Sequence, residues 1–254
     1  MKIVGSIQAR MGASRLPGKV LKEICEKPIL LWHIERIKRS RLLDDIVVAT
    51  TTNPDDDEIV SFCKKHNIKY FRGSEDDVLS RIASLIREFN IDIHVEFFGD
   101  SPLTDPHIID ELIGFFLKNN GKYDYVSNSM KTTYPPGQEV AVFRGTALME
   151  IDEFIKKDDP LREHVSIHFK QNRDKFNVFN LEAPAYYHYP EVYLEVDTQE
   201  DLKMISKIIT HFTNSDYEHF SLAQILDYLS QNPEVVKINR HIERRWKEFR
   251  EDNV

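Results

Sequence analysis

"KIVGSIQARMGASRLPGK", residues 2–19, decides how this chain is read. Its first six residues form an apolar run that reads as a buried strand opening the chain. A loop carrying Arg10, Arg15 and Lys19 follows at once. In an open α/β sheet, ligands gather just beyond the carboxyl ends of the strands. Gly12 and Gly18 allow tight turning and close backbone approach, and Pro17 stiffens the return. Three positive charges on one such loop suit a triphosphate, whose charge grows on the leaving pyrophosphate during nucleotidyl transfer. The plainer alternative is a solvated basic loop paired with nearby acids. Two standard phosphate cradles are excluded. The P-loop spacing fails and Val20, not a hydroxyl residue, follows Lys19; the G-x-G-x-x-G dinucleotide fingerprint is absent.

Outward from this stretch, strands and helices alternate. "DDIVVATT" (45–52), "IKYFRG" (68–73) and "IDIHVEFFGD" (91–100) read as strands. Between them, "PILLWHIERIKRS" (28–40), with Pro28 suited to a first turn, and "DDDEIVSFCKKHN" (55–67) read as helices. So does "DDVLSRIASLIREFN" (76–90), with Val78, Ile82, Leu85, Ile86 and Phe89 on one stripe. A further helix starts at "DPHIIDELIGFFLK" (105–118), with Asp105 at the N-cap and Pro106 in the first turn. This rhythm predicts a doubly wound, mostly parallel sheet with helices on both faces, in one domain over 1–254. In the second half, 138–144 and 192–196 read as strands, and 145–156, 161–171 and 199–212 as helices. A helical tail from about 221 is expected at the periphery, including 239–252.

Composition narrows the function. The 254 residues are 41% hydrophobic and 30% charged, with a net charge of −8 and a pI near 5.7. That is ordinary for a soluble globular chain and supplies no basic field for nucleic acid. No apolar run of about 18 residues is present, so no membrane-spanning helix is expected, and the charged N-terminus does not read as a signal peptide. Two cysteines, Cys25 and Cys63, are too few for a disulfide framework or a zinc site. They are expected to be buried reduced thiols, and the reading is cytoplasmic.

Other segments carry candidate chemistry. In "GDSPLTDP" (99–106), Asp100 follows a strand end and is a candidate magnesium ligand, or else a turn aspartate bonding its own backbone. In "VDTQEDL" (196–202), Thr198 and Asp201 resemble a capping pair, and Asp197, just before the cap, is free to point into a cleft. In "FRGSEDDVLSR" (71–81), Arg72 can meet phosphate or base, while Asp76 or Asp77 caps a helix. Glu139 is expected near a cleft mouth, and "REHV" offers Arg162 for a bidentate clamp on an acceptor anion. Glu163 clusters with it, and His164 could orient a hydroxyl or accept a proton. A polar interhelical or dimer-interface network is the alternative for these three.

Taken in order, "QARMGASRLPGKVL", "FRGSEDDVLSRI", "GDSPLTDP", "REHV" and "EVDTQEDL" resemble the sugar cytidylyltransferases. The likeness is to the 3-deoxy-manno-octulosonate and acylneuraminate enzymes, and more closely to the spore coat polysaccharide biosynthesis type. The resemblance implies a nucleotide-diphospho-sugar transferase fold, Rossmann-like, and the use of CTP with Mg²⁺ to make a CMP-sugar and pyrophosphate. It implies that Arg10, Lys19 and Asp100 are catalytic, and that Asp100 and Asp197 hold the metal. Ala9, Arg10, Gly12, Ser14, Arg15, Lys19, Arg72 and Asp100 would bind the nucleotide, with the pyrimidine in a slot between loop 8–19 and segment 71–82. Glu139, Arg162, Glu163 and His164 would meet an acceptor sugar or sugar acid, and a homodimer is expected. The middle of the chain departs from the octulosonate pattern, since "RGSEDDVLSRI" replaces S-G-T-E/D-R. Two rivals follow: transfer to a sugar- or polyol-phosphate giving a CDP-linked product, and a non-catalytic nucleotide-binding protein of the same fold. No side chain stands out as a general base.

Overall fold

The opening apolar run forms β1 (Ile3–Gln8), which is buried because strands flank it on both sides and helices cover both faces. The computed structural model describes residues 1–215, 219–244 and 246–247. After β1 come a small hairpin, β2 (Glu23–Ile24) and β3 (Lys27–Pro28), and then β4 (Asp45–Thr51), β5 (Lys69–Gly73) and β6 (Ile93–Phe98). The remaining strands are β7 (Tyr125–Ser127), β8 (Ala141–Arg144) and β9 (Val178–Asn180). The main sheet runs β5-β4-β1-β6-β8-β7-β9, and only β8 is reversed against its neighbours. The chain moves from β1 out to β5 and then crosses to β6 on the far side of β1. That reversal opens a crevice beyond the carboxyl ends of β1 and β6, where doubly wound folds bind ligands.

The helices are α1 (Ile29–Ile37), α2 (Asp57–Lys65), α3 (Val78–Phe89), α4 (Pro106–Lys118) and α5 (Gly145–Phe154). They continue with α6 (Ile167–Gln171), α7 (Gln199–Thr213), α8 (Leu222–Gln231) and α9 (Pro233–Val236). Strand side chains alternate between faces, and two cores result. Ile3, Ile7, Val48 and Phe97 pack with α1, α2, α4, α7 and α8; Val4, Val47 and Ala49 pack with α3, α5 and Phe169 of α6. The doubly wound single domain is therefore present as read.

Five expectations need correction. The segment 192–196 is extended and buried but joins no ladder; Leu194 N–H donates to Pro136 O at 2.6 Å and Val196 N–H to Asp100 O at 2.8 Å. Its apolarity reported burial, not strand pairing. The helix expected over 161–171 is broken into a 3₁₀ turn, Pro160–Glu163, and α6, because Arg162 turns inward to Asp77 and Asp152. Pro28 is the N-cap of α1 and ends β3, so it precedes the first turn. Cys25 is exposed, in a positive-φ turn between β2 and β3, whereas Cys63 is buried and burial pushes its thiol up to about 12. The tail is not peripheral: Phe220, Leu222, Ile225 and Leu229 enter the main core, and the Arg244 side chain is fully buried. Within 239–252, residues 239–242 form turns and bends, while 245 and 248–252 lie outside the described residues. Short strands β7 and β9 were not anticipated; three residues carry too little alternation to signal a strand.

Candidate functional site

The loop after β1 is built to hold Lys19. Ala13 and Gly18 N–H groups both donate to Met11 O at 2.9 Å, and Met11 N–H donates to Asp56 Oδ1 at 2.7 Å. Leu16 and Val20 anchor the loop in the core. Gly18 has φ +66°, the left-handed region that favours glycine, and turns the chain into the 3₁₀ segment Lys19–Leu21. Opposite, Gly99 N–H donates to Gln8 O at 2.9 Å, and a Cβ on Gly99 would lie 2.6 Å from that oxygen. Only glycine lets the ends of β1 and β6 come this close, and Asp100 follows directly.

Asp197 arrives from the far side. Thr198 and Asp201 form a reciprocal capping box at the start of α7, as the spacing predicted. Asp197, one residue earlier, is left facing the crevice. The Val196–Asp100 backbone bond ties the two aspartate-bearing loops together. Lys19 Nζ donates to Asp100 Oδ2 at 3.0 Å and Asp197 Oδ1 at 2.6 Å, and Arg15 Nη2 donates to Asp197 Oδ2 at 2.5 Å. Burial by itself would lower the Lys19 pKa, but the two carboxylates outweigh it and hold the ammonium above its ordinary value. Lys19 is therefore a fixed positive charge at neutral pH.

These groups sit at the seam of two adjoining cavities. The first, about 630 Å³, lies between loop 8–19 and the start of α3, with Arg10, Ser14, Asp77 and Arg81 in its walls. The second, about 530 Å³, is bounded by Glu96, Ser166, Lys170 and Trp246. Gln8, Arg10, Phe98, Asp100, Glu163, His164 and Asp197 line both. Each volume is typical of a small-molecule site.

The expected site residues divide into two groups. Ala9, Arg10, Ser14, Arg15, Lys19, Asp100, Glu163, His164 and Asp197 converge on the cleft. Arg10 is half exposed, with Glu75 at 3.9 Å, and His164 lies 3.3 Å from Glu163. Gly12 belongs to the same loop, with Glu75 near it. The others are engaged elsewhere. Arg72 donates to Thr51 O, Asn53 O and Asp57, fastening β5 to the loop before α2, and it lines neither cavity. Glu139 accepts from Gly137 N–H at 2.6 Å and also lines neither. Arg162 borders the first cavity, but its side chain is 2% exposed and its guanidinium is bonded to Asp77, Asp152 and Ile155 O. A clamp needs a guanidinium with donors to spare for the ligand, and this one is already held by two carboxylates and a carbonyl.

Among the cleft residues beyond the expected set are two charged ones, Glu96 and Arg81. Glu96 is a buried acid in the apolar run of β6; its carboxyl accepts from Gln8 Nε2 at 2.7 Å and from Ser166 Oγ. Burial raises it to about 7. Arg81 interrupts the apolar stripe of α3 and donates to Ser74 O; burial and the nearby Arg10 lower it to about 10. In both cases a charge inside an apolar pattern was the available signal.

Asp100 and Asp197 fit a magnesium ion. One cation, the Lys19 ammonium, already contacts both carboxylates, so they are close enough to share a charge. Both supply hard oxygens, and magnesium is commonly held by one or two carboxylates with water and substrate phosphates completing its shell. Among the described residues no group of three or more His, Cys, Asp or Glu is placed to hold a metal ion.

Comparison with known proteins bears on the family and the fold. A family model described as cytidylyltransferase matches residues 4–241. The chain is 38% identical over 251 residues to an uncharacterized protein of Methanocaldococcus jannaschii, covering 99% of each. It is 29% identical over 232 residues to the spore coat polysaccharide biosynthesis protein SpsF of Bacillus subtilis, covering 90% of this chain and 94% of that one. Among solved structures, a cytidylyltransferase from Leptospira borgpetersenii serovar Hardjo-bovis superposes with a TM-score of 0.87 at 31% identity, covering 96% of this chain and 100% of that one.

Proposed function

We propose that this chain, which belongs to the cytidylyltransferase family, moves CMP from CTP to an acceptor sugar or sugar acid, releasing pyrophosphate. The observation that carries this reading is the contact of Lys19 with both Asp100 and Asp197 at the seam of a two-lobed cleft. The lobe between loop 8–19 and α3 takes the nucleotide, with Arg10, Arg15 and Lys19 toward the triphosphate. The lobe bounded by Glu96, Ser166 and Lys170 takes the acceptor. An acceptor oxygen attacks the α-phosphorus in line, and the bond to pyrophosphate breaks. Lys19 and Arg10 stabilise the charge that builds on the phosphoryl oxygens and the leaving group. Glu163 and His164, which line both lobes, orient the acceptor. Asp100 and Asp197 would hold Mg²⁺, which when bound neutralises phosphate charge and lowers the barrier to displacement.

The relative named for spore coat polysaccharide biosynthesis supports an acceptor destined for a surface glycan. A homodimer and a cytoplasmic location belong to the same proposal, and sedimentation equilibrium reads the first. The deciding experiment is pyrophosphate release from CTP, with and without Mg²⁺, across a panel of aldoses, amino sugars, sugar acids and sugar phosphates. Mass analysis of the product separates a phosphodiester from a diphosphate. Release from CTP with at least one acceptor, dependent on Mg²⁺, is expected; no release with any member would leave the non-catalytic nucleotide-binding reading in its place.

A further inference from the structure

The C-terminal segment grips the residues around Asp197 from three directions. First, the Asp201 carboxylate, fully buried, accepts from Asp197 N–H at 3.0 Å and Thr198 N–H at 2.9 Å. The same carboxylate accepts from Arg244 Nη2 at 2.7 Å, Arg244 Nη1 at 3.1 Å and Asn239 Nδ2 at 2.8 Å. Second, Arg15, whose Nη2 holds the Asp197 carboxylate, donates through Nη1 to Glu243 O at 3.1 Å. Third, Glu195, two residues before Asp197, accepts from Trp246 Nε1 at 2.6 Å and Arg244 Nη1 at 3.3 Å. Trp246 itself lines the second lobe of the cleft.

The charge arithmetic makes Arg244 the centre of this arrangement. A fully buried carboxylate is tolerated only with a counter-charge and satisfied hydrogen bonds. Arg244 is the cation paired with Asp201, and its side chain is equally buried. Remove it, and Asp201 must protonate or rotate toward water. Either change weakens the bond to Asp197 N–H, which sets where the Asp197 carboxylate stands. Lysine cannot replace the arginine, because its point-like ammonium cannot reproduce a planar fork that reaches both Asp201 oxygens and Glu195.

We propose that Arg244 is a positioning residue for Asp197, acting through Asp201, so that the C-terminal segment is a working part of the cleft. This rests on the reading of Asp100 and Asp197 as a cation-holding pair. The consequence is specific: weakening the Arg244–Asp201 pair removes the Mg²⁺-dependent part of nucleotide affinity and leaves the Mg²⁺-independent part, carried by Arg10 and Lys19, in place.

The test is isothermal titration of CTP into the full-length protein with and without Mg²⁺. Wild type is compared with Arg244→Lys and with Asn239→Ala, which removes one bond to Asp201 without touching its charge. Leu229→Ala, a core truncation in α8 at a residue that lines neither cavity, serves as a destabilised control matched by melting temperature. We expect Mg²⁺ to tighten CTP binding to wild type and to Leu229→Ala alike. In Arg244→Lys that tightening falls at least about tenfold, equal to 1.4 kcal/mol, with an intermediate loss in Asn239→Ala. Affinity for CTP without Mg²⁺ changes by less than about twofold, a difference of under 0.5 kcal/mol. If Arg244→Lys fails to fold, Asn239→Ala still decides. Full Mg²⁺-dependent tightening in folded Arg244→Lys overturns the proposal. So does an equal loss in Leu229→Ala, which would make Arg244 a structural residue only. A wild type that binds CTP with no Mg²⁺ dependence removes the cation pair itself, and this inference with it.

Discussion

Asp197 occupies the last position before a helix cap, a place where an aspartate is usually structural, yet its carboxylate is held by Lys19 and Arg15 across the cleft. Asparagine keeps its shape and removes its charge. Asp197→Asn is therefore expected to lose at least about tenfold in turnover, corresponding to 1.4 kcal/mol. The double variant with Asp100→Asn should be little worse than either single one, because residues acting as a unit are not additive. Steady-state kinetics at limiting Mg²⁺ reads this, and unchanged turnover would return Asp197 to a capping role. Glu96 offers a second prediction at this scale. Burial raises its pKa from 4.5 to about 7, so the folded state favours its protonated form. Its stabilising contribution is fully present below pH 4.5 and is lost as pH rises through 7. Against Glu96→Gln, which mimics the protonated acid, wild type should lose up to roughly 3 kcal/mol across that window. Urea unfolding of both proteins through the same pH range measures it, and parallel stability profiles would contradict the raised value.

At the scale of elements, the joint between α3 and the 3₁₀ turn Pro160–Glu163 depends on one side chain. Asp77 caps α3 by accepting from Ser80 N–H at 2.9 Å, and the same carboxylate pairs with Arg162 Nε at 2.9 Å. Arg162 reaches on to Asp152 in α5, so three segments meet at a single guanidinium. Arg162→Met leaves the mostly buried Asp152 with Lys157 and Arg87 as its partners among the described residues. A loss of about 3 kcal/mol is expected, at the low end for breaking a buried ion pair. The KM for acceptor should hardly move. A stable variant with a raised acceptor KM would restore the clamp role that the sequence suggested.

For the molecule as a whole, the first lobe of the cleft is a slot with loop 8–19 on one wall and the start of α3 on the other. Under the proposed function it should admit a pyrimidine better than a purine. At about one hundred times its Kd, CTP would stabilise the fold by about 2.7 kcal/mol, and ATP and GTP by clearly less. Equal shifts in melting temperature for all nucleotides would refute a cytosine-selective slot. Much of this architecture was legible beforehand, because strand alternation, helical periodicity and capping are local properties, set by residues a few positions apart. Hence β1, β4, β5, β6, the helices between them and the Thr198–Asp201 capping box stand close to where their patterns put them. Local pattern failed where burial and pairing part company, as at 192–196, whose apolar residues are buried without joining a ladder. It failed again where a charge turns inward, as at Arg162 and Arg244, since a residue type does not reveal which way its side chain faces. Local patterns were enough for the doubly wound class, with a basic loop at the end of the first strand. Long-range packing is what brings Lys19, Asp100 and Asp197 together and leaves Arg72 and Glu139 outside the cavities. The reason is physical: a contact between positions 19, 100 and 197 is set by the crossing of the chain from β5 to β6, by the close passage of Gly99 against Gln8, and by the Val196–Asp100 bond, all of them long-range.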